Sequence, residues 1–253
     1  MADPLVLSGS SLNTFLNCGR QWEYAYVQRI KRPPRLKMVL GSAAHRAVEL
    51  DLVNKMETGE DLPRAQVQET FRDEFVRGAN DTDDDTDDVG KLTDSGISTV
   101  GVWHDVVAPK THPRLIEQHV QYKLNGTVID GTIDIVHEDG RIGDWKFTAK
   151  TPDKRGGTNL IPMVGYAIGY RRMSGEVESG VVLDFMVRLK QPKHHPVSSG
   201  PVPDESIVAY AGIVDDVVRS IDAGLFPPTG LKSGACSWCG YKSICPAFRA
   251  ASI

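Results

Sequence analysis

The sequence predicts one α/β domain built around a mixed β-sheet. Three observations carry that expectation. Residues 10–107 place apolar side chains mostly at helical spacing, residues 114–147 break into short β-branched runs bounded by turns, and residues 159–224 return to helices around one further apolar strand.

Taken in order, "SSLNTFLNCGRQWEYAYV" (10–27) opens on a serine cap. It carries Leu12, Phe15, Leu16, Trp22 and Tyr26 at roughly helical spacing, and Pro33–Pro34 ends it. "LGSAAHRAVELDLVNKM" (40–56) and "RAQVQETFRDEFVRGA" (64–79) read as the next two helices, and a fourth is expected near 93–107. Between them lies "NDTDDDTDDVG" (80–90). Asp83, Asp85 and Asp87 alternate as in a calcium loop, but Asp88 takes the glycine position and Asp94 stands where a glutamate is needed, so an acidic loop is expected. Strands are expected at 114–124, 127–137, 141–147 and 180–189, and helices at 159–172 and 204–224. No internal repeat is present. The order suggests a helical region over 1–110, a core over 111–225 and a cysteine segment over 226–253.

The chain has 253 residues, enough for a sizeable core, and a net charge of -4 that does not advertise a nucleic-acid partner. The sign is uneven, however: "QRIKRPPRLK" (28–37) gathers Arg29, Lys31, Arg32, Arg35 and Lys37, and "VRLKQPKHH" (187–195) forms a second basic cluster. The N-terminus lacks a basic stretch followed by a long apolar one, and no apolar run is long enough to span a bilayer. The expected compartment is the cytoplasm, where cysteines stay reduced and more often bind metal than pair.

The chemistry is expected in "TIDIVHEDGRIGDWKF" (132–147). Its turn, "EDG", has glycine third, as a three-residue hairpin with a left-handed Gly140 requires. That turn pairs His137 with Arg141 and sets Asp134 opposite Asp144, with Lys146 two residues on along the same face. A two-residue turn would instead oppose Asp134 to Trp145 and separate the carboxylates. Two adjacent carboxylates repel unless a cation lies between them, and hard oxygen ligands suit Mg²⁺ or Mn²⁺. A lysine beside them can stabilise a phosphate oxyanion or orient a water. Asp-x-Lys alone is short and common, and an exposed surface pair would look the same. Upstream, "GSAAHRAVE" (41–49) carries His45 on a helix, with Glu49 one turn further on the same face.

With these motifs the chain resembles the RecB-like exonucleases of the PD-(D/E)xK nuclease superfamily, in particular the CRISPR-associated iron–sulfur exonucleases and their phage relatives. "LSGSSLNTFLNCGRQWEYAYV" is similar to that family's N-terminal signature, "GSAAHRAVE" to its first metal motif, "GTIDI" to its second and "GDWKF" to its third. The resemblance spans residues 7 to 248. It implies a restriction-endonuclease-like core with a mixed central sheet flanked by helices. It also implies His45, Asp134 and Asp144 as ligands of Mg²⁺ or Mn²⁺, Lys146 as the catalytic lysine, and the Trp145 carbonyl as a further ligand. The family's Gln-x-x-x-Tyr helix is matched by "PMVGY" (162–166), which keeps Tyr166 in a catalytic position but has Pro162 in place of glutamine.

The same resemblance accounts for all four cysteines. It implies that Cys18, Cys236, Cys239 and Cys245 hold a structural [4Fe–4S] cluster joining the first helix to the C-terminal segment. A Cys₄ zinc site and unligated thiols are the alternatives. The implied function is metal-dependent exonucleolytic hydrolysis of DNA, on single-stranded ends, with Arg20, Arg29, Lys31 and Arg32 as phosphate contacts. CRISPR-adaptation or recombination proteins are the implied partners, and no membrane. The rival is a non-catalytic DNA-binding or assembly subunit that keeps fold and cluster; Pro162 favours it, and the intact Asp134, Asp144 and Lys146 argue against it.

Overall fold

The computed structural model describes residues 5–82, 87–152 and 160–251. Asp83 and Asp85 of the acidic stretch lie outside the described residues. The first strand, β1 (Val6–Ser8), leads directly into α1 (Gly9–Asn17). Ser8 caps that helix: its Oγ accepts from the Ser11 N–H, and the Ser11 hydroxyl accepts from the Ser8 N–H, a reciprocal capping box. The expected single helix over 10–27 is interrupted. Cys18 is extended (φ -164°, ψ 106°), and the chain resumes as α2 (Gly19–Trp22) and a π-helical turn over Glu23–Val27.

Three long helices follow, α3 (Leu36–Thr58), α4 (Arg64–Ala79) and α5 (Val89–Val106). Gly59 ends α3 in the left-handed conformation (φ 83°), which a residue without Cβ adopts at little cost. Asp88, from the acidic stretch, caps α5 by accepting from the Lys91 N–H. Asp87 pairs with Lys37 at 2.8 Å. These two aspartates therefore hold helix ends.

The sheet then forms from β2 (Pro113–Leu124), β3 (Thr127–His137), β4 (Arg141–Thr148), β5 (Gly180–Val187) and β6 (Lys193–Ser199), with α6 (Leu160–Ser174) before β5 and α7 (Asp204–Asp222) after β6. It is mixed: β1–β3 and β4–β5 are parallel, whereas β2–β3, β3–β4 and β5–β6 are antiparallel. Two of these strands were not foreseen. β1 has three residues, and β6 is the polar "KHHPVSS" that reads in sequence as a basic cluster. As an edge strand β6 tolerates Pro196, which has no N–H for a further neighbour. β5, which lies between β4 and the edge strand β6, is buried at every position.

Helices cover both faces. Val48 and Leu52 of α3 and Trp103 and Val107 from the end of α5 pack on Ile135, Trp145 and Met186 of the sheet. On the other side, Met163, Ala167 and Tyr170 of α6 pack on Val120, Ile133, Ile142 and Leu183. Leu12 and Phe15 of α1 share a further apolar cluster with Tyr210, Val214 and Val217 of α7.

The α4–α5 contact depends on a missing side chain. A β-carbon at Gly96 would overlap the ring of Phe71, which is wholly buried and stacked on Phe75 with centroids 5.8 Å apart. Gly96→Ala gains up to about 1 kcal/mol of helix propensity. Overpacking costs ~1–3 kcal/mol and should outweigh it. Urea unfolding is expected to show a lower midpoint with an unchanged slope.

Candidate active site

The site is built at a fork in the sheet. β2 covers one edge of β3 along its length, so β1 and β4 share the other edge. β1 pairs with Val128–Asp130 and β4 with Ile135–Val136. Among the described residues, positions 131–134 have no strand partner on that edge. The hairpin has the register that the sequence predicts: Ile135 opposes Gly143, Val136 opposes Ile142, and Gly140 is left-handed at φ 82°. By this count Asp134 falls opposite Asp144, but the ladder has already ended. In its place the Trp145 N–H donates to Asp134 Oδ2 at 2.9 Å. A side chain thus replaces the next backbone hydrogen bond where β4 parts from β3, while β4 stays paired with β5 on its other edge from Arg141 to Thr148.

This fork collects the predicted groups. Lys146 Nζ lies 2.5 Å from Asp144 Oδ2 and forms a close ion pair with this buried carboxylate. His45 of α3 places Nδ1 3.4 Å from Asp134 Oδ2 and hydrogen-bonds the Trp145 backbone. The Trp145 ring is buried edge-to-face against Trp103, with centroids 5.8 Å apart, which anchors the backbone between Asp144 and Lys146. Tyr166 of α6 lies over the unpaired stretch of β3, where a β-carbon at Gly131 would come within 3.1 Å of its ring. That approach explains the glycine of "GTIDI".

One residue of the site was not foreseen. Glu117 of β2 falls opposite Asp134 by register, but it adopts a left-handed φ of 47° and leaves the ladder there. A non-glycine residue in that region is uncommon and is a strained conformation. Among the described residues, His45, Glu117 and Asp134 form the group whose ligand atoms all lie within 4.8 Å of one another. The one sequence signal for Glu117 is a carboxylate between Ile116 and a polar pair, which reads equally as the solvent side of a strand. A cleft of about 680 Å³ opens over these residues, lined by His45, Glu49, Glu117 and Lys146 with Met38 and Phe147.

The electrostatics follow from crowding. Burial, and then the neighbouring Asp144 carboxylate, push Asp134 well above the usual carboxylate range. Burial, with Glu49 and Asp144, pushes Glu117 up to about 7 although its side chain reaches solvent. Burial lowers the His45 imidazole and favours the neutral form that can ligate a metal. Burial works against the Lys146 ammonium, but Asp144 outweighs it and the group lies above its ordinary value. Burial, then Asp144 and Asp134, raise the Tyr166 phenol. The fork is therefore short of positive charge, and its hard oxygen donors with one neutral imidazole fit a divalent cation.

The other predicted residues lie elsewhere. Cys18, Cys236, Cys239 and Cys245 line one small pocket beneath Gly230, whose β-carbon would come within 3.2 Å of the sulfurs of both Cys18 and Cys236. Arg20 lines the same pocket and is paired with Glu23. Arg32 lies over the Tyr241 ring at 5.8 Å, Arg29 has a left-handed φ of 51°, and Lys31 is exposed between them. Pro162 occupies the first turn of α6 and packs on Gly9, where a β-carbon would meet it at 3.1 Å.

The pH dependence has a definite sign. Carboxyls raised in the folded state bind more protons than in the unfolded chain, so their stabilising effect is full below about pH 4 and is lost as pH rises to about 7. With EDTA, Tm should fall across this window. With Mn²⁺ it should lie higher, by a margin that widens with pH. A margin independent of pH would count against a carboxylate-held cation.

The chain matches the description of the PD-(D/E)XK nuclease superfamily over residues 6–246. No curated protein is similar to it by sequence search. Its fold resembles the crystal structure of a "putative exonuclease" from Eubacterium rectale, with a TM-score of 0.64 and 12% identity over 97% of this chain and 87% of that one. A second structure, of SSO0001, aligns over 98% of this chain and 89% of that one at 10% identity, and its TM-score of 0.47 supports no further comparison. By sequence match over nearly its whole length, and with the Asp-x-Lys strand at the fork of its sheet, the chain belongs to the PD-(D/E)XK nuclease superfamily.

Proposed function

We propose that the protein is a Mg²⁺- or Mn²⁺-dependent deoxyribonuclease that removes nucleotides from DNA ends, single-stranded ones in particular. The observation that carries this reading is the convergence of His45, Glu117 and Asp134 within ligand distance of one another, beside the Asp144–Lys146 ion pair and under an open cleft. When bound, the divalent ion supplies Lewis-acid polarisation of the phosphate and a more acidic water. Asp144, Asp134 and His45 would hold it, with Glu117 and the Trp145 carbonyl beside them. Lys146 keeps its charge at the Asp144 carboxylate, from where it can meet a phosphate oxygen or the attacking water. Tyr166, raised in pKa, stays protonated and can donate to a phosphate oxygen. Arg20, Arg29, Lys31 and Arg32 are assigned to the DNA backbone, and CRISPR-adaptation or recombination proteins are the partner class.

The cysteines are assigned to a structural [4Fe–4S] cluster. Their pocket fits a thiolate-bound group in two respects. Gly230 leaves it open, and burial followed by the neighbouring sulfurs raises the Cys236 and Cys239 thiols, as an uncompensated thiolate cluster would. A single zinc at about 2.3 Å from each ligand draws sulfurs to ~3.8 Å apart. A [4Fe–4S] cluster, with one thiolate on each of four irons, holds its thiolates farther apart.

Asp144→Ala should fold normally and reduce Mn²⁺-dependent cleavage of a labelled single strand by about 100-fold or more. Cleavage at the wild-type rate would refute this site. Protein purified without oxygen should be brown, with about four irons per chain. Cys18→Ala should bleach it and lower Tm, whereas Asp144→Ala should keep both colour and Tm. Colourless protein with about one zinc per chain would replace the cluster.

A further inference from the structure

The basic stretch over 187–195 lies at the end of β5 and the start of β6, beside the end of β4. Thr148, Val187 and Lys193 form one row across these three strands, at about 4.8 Å per strand. The Arg188 N–H donates to the Thr148 carbonyl at 2.7 Å and ties β5 to β4 where their ladder ends. Past that row β4 turns, and the Lys150 N–H donates to the Thr148 hydroxyl at 3.2 Å. Lys150, Lys190 and Lys193 are exposed on this rim of the sheet.

The rim carries charge of one sign. No Asp or Glu occurs in residues 145–152 or 185–203, whereas Lys146, Lys150, Arg188, Lys190 and Lys193 all lie in these segments. Lys146 is engaged by Asp144. Asp87 acts on the partly buried Arg188 and is itself paired with Lys37 at 2.8 Å. Among the described residues, none of the three exposed lysines pairs with a carboxylate. Like charges gathered in this way raise the local concentration of a polyanion.

The rim also continues the carboxylate cleft. Lys146 and Phe147 line that cleft, and Lys150 follows on the same segment. From Lys146 to Lys150 is at most ~13 Å of extended chain, the rise of about four nucleotides at 3.4 Å each. A second way out of the cleft exists. Met38 and Ser42 are shared with a groove of about 400 Å³ between α3 and α4, lined further by Glu74, Arg77 and Asp81. There Arg77 is paired with Glu74, and Asp81 leaves the groove with an excess of negative charge. A polyanion is repelled on that side and attracted on the other.

We propose that a DNA strand held at the carboxylate site leaves the cleft over the ends of β4 and β5, with its phosphates on Lys150, Lys190 and Lys193, a path that rests on the deoxyribonuclease reading. Three ammonium groups on flexible stems hold the backbone in position and read no sequence.

The test compares the full chain with a variant carrying Lys150→Ala, Lys190→Ala and Lys193→Ala, all at exposed positions. Fluorescence anisotropy with a labelled single strand of about 20 nucleotides, in EDTA so that no cleavage occurs, gives Kd across a salt series. Three lost phosphate contacts should lower the slope of log K against log salt by about 2, at roughly 0.7 per contact. At low salt the binding should weaken about tenfold or more. With Mn²⁺, KM for the long strand should rise, whereas KM for a dinucleotide, whose single phosphate occupies the carboxylate site, should stay the same. Arg77→Ala, in the α3–α4 groove, should leave the slope unchanged. If the parent binds and cleaves the strand and the triple variant keeps the parent's slope, the path is overturned while the deoxyribonuclease reading stands. The path is equally overturned if Arg77→Ala lowers the slope instead, or if KM for the dinucleotide rises as much as KM for the long strand. A parent that neither binds nor cleaves the strand would remove the deoxyribonuclease reading and the path with it.

Discussion

The hydrogen bond from the Trp145 N–H to Asp134 Oδ2 is the constraint on which the site depends. Had β4 continued along β3, that N–H would belong to an ordinary ladder. Because a carboxylate takes the donor instead, β4 can part from β3 after Gly143 while staying parallel to β5 on its other edge, from Arg141 opposite Gly180 to Thr148 opposite Val187. The divergence keeps an edge of β3 open over residues 131–134, and Tyr166 enters there against Gly131. It also fixes Asp134 and Asp144 as close neighbours without pairing them in a rigid ladder. The buried Trp145 ring holds the branch in place from the α3–α5 side.

Such crowding is unfavourable by itself. Two buried carboxylates face one ammonium and one imidazole, with Glu117 approaching from β2 in a strained backbone conformation. Protonation relieves part of the repulsion, which is why Asp134 and Glu117 are raised. A cation would relieve more of it and would make the Glu117 conformation useful, since it aims a third oxygen ligand at the same point. Strain and charge excess thus have one remedy in common.

The hairpin was legible because its turn chemistry is local: "EDG" determines a left-handed Gly140, and the register follows by counting. His45 stood out only through the resemblance of "GSAAHRAVE" to a family motif, since its helical spacing places Glu49 on the same face but does not tell a ligand from a structural histidine. Glu117 was not legible, because its role comes from a backbone irregularity opposite Asp134, and period-two patterning cannot register a residue that leaves the ladder. β1 escaped notice because three residues carry no measurable alternation, and β6 because an edge strand with Pro196 and two histidines lacks the β-branched composition of a buried one. The apolar spacing reads Cys18 as part of a continuous helix, but the helix breaks at this residue. Its extended backbone turns the chain so that the sulfur faces the C-terminal pocket.

That break leaves backbone groups to satisfy, and the C-terminal segment satisfies them. The Asn17 carbonyl, at the end of α1, accepts from the hydroxyls of both Thr229 and Ser233. The α8 turn (Gly230–Ser233) therefore caps a helix more than two hundred residues earlier. Gly19 lets Pro227 approach, since a β-carbon there would come within 2.9 Å of it, and Phe226 stacks on Trp22 at 5.9 Å. Farther along, the Tyr241 hydroxyl donates to the Ile30 carbonyl at 3.0 Å. The two ends of the chain are thus joined by capping, aromatic stacking and hydrogen bonds on both sides of the cysteine pocket. A group bound to the four thiolates would lock an interface that these contacts already position. The sulfurs need then move only locally to meet it, because the backbone carrying them is held from both chain ends.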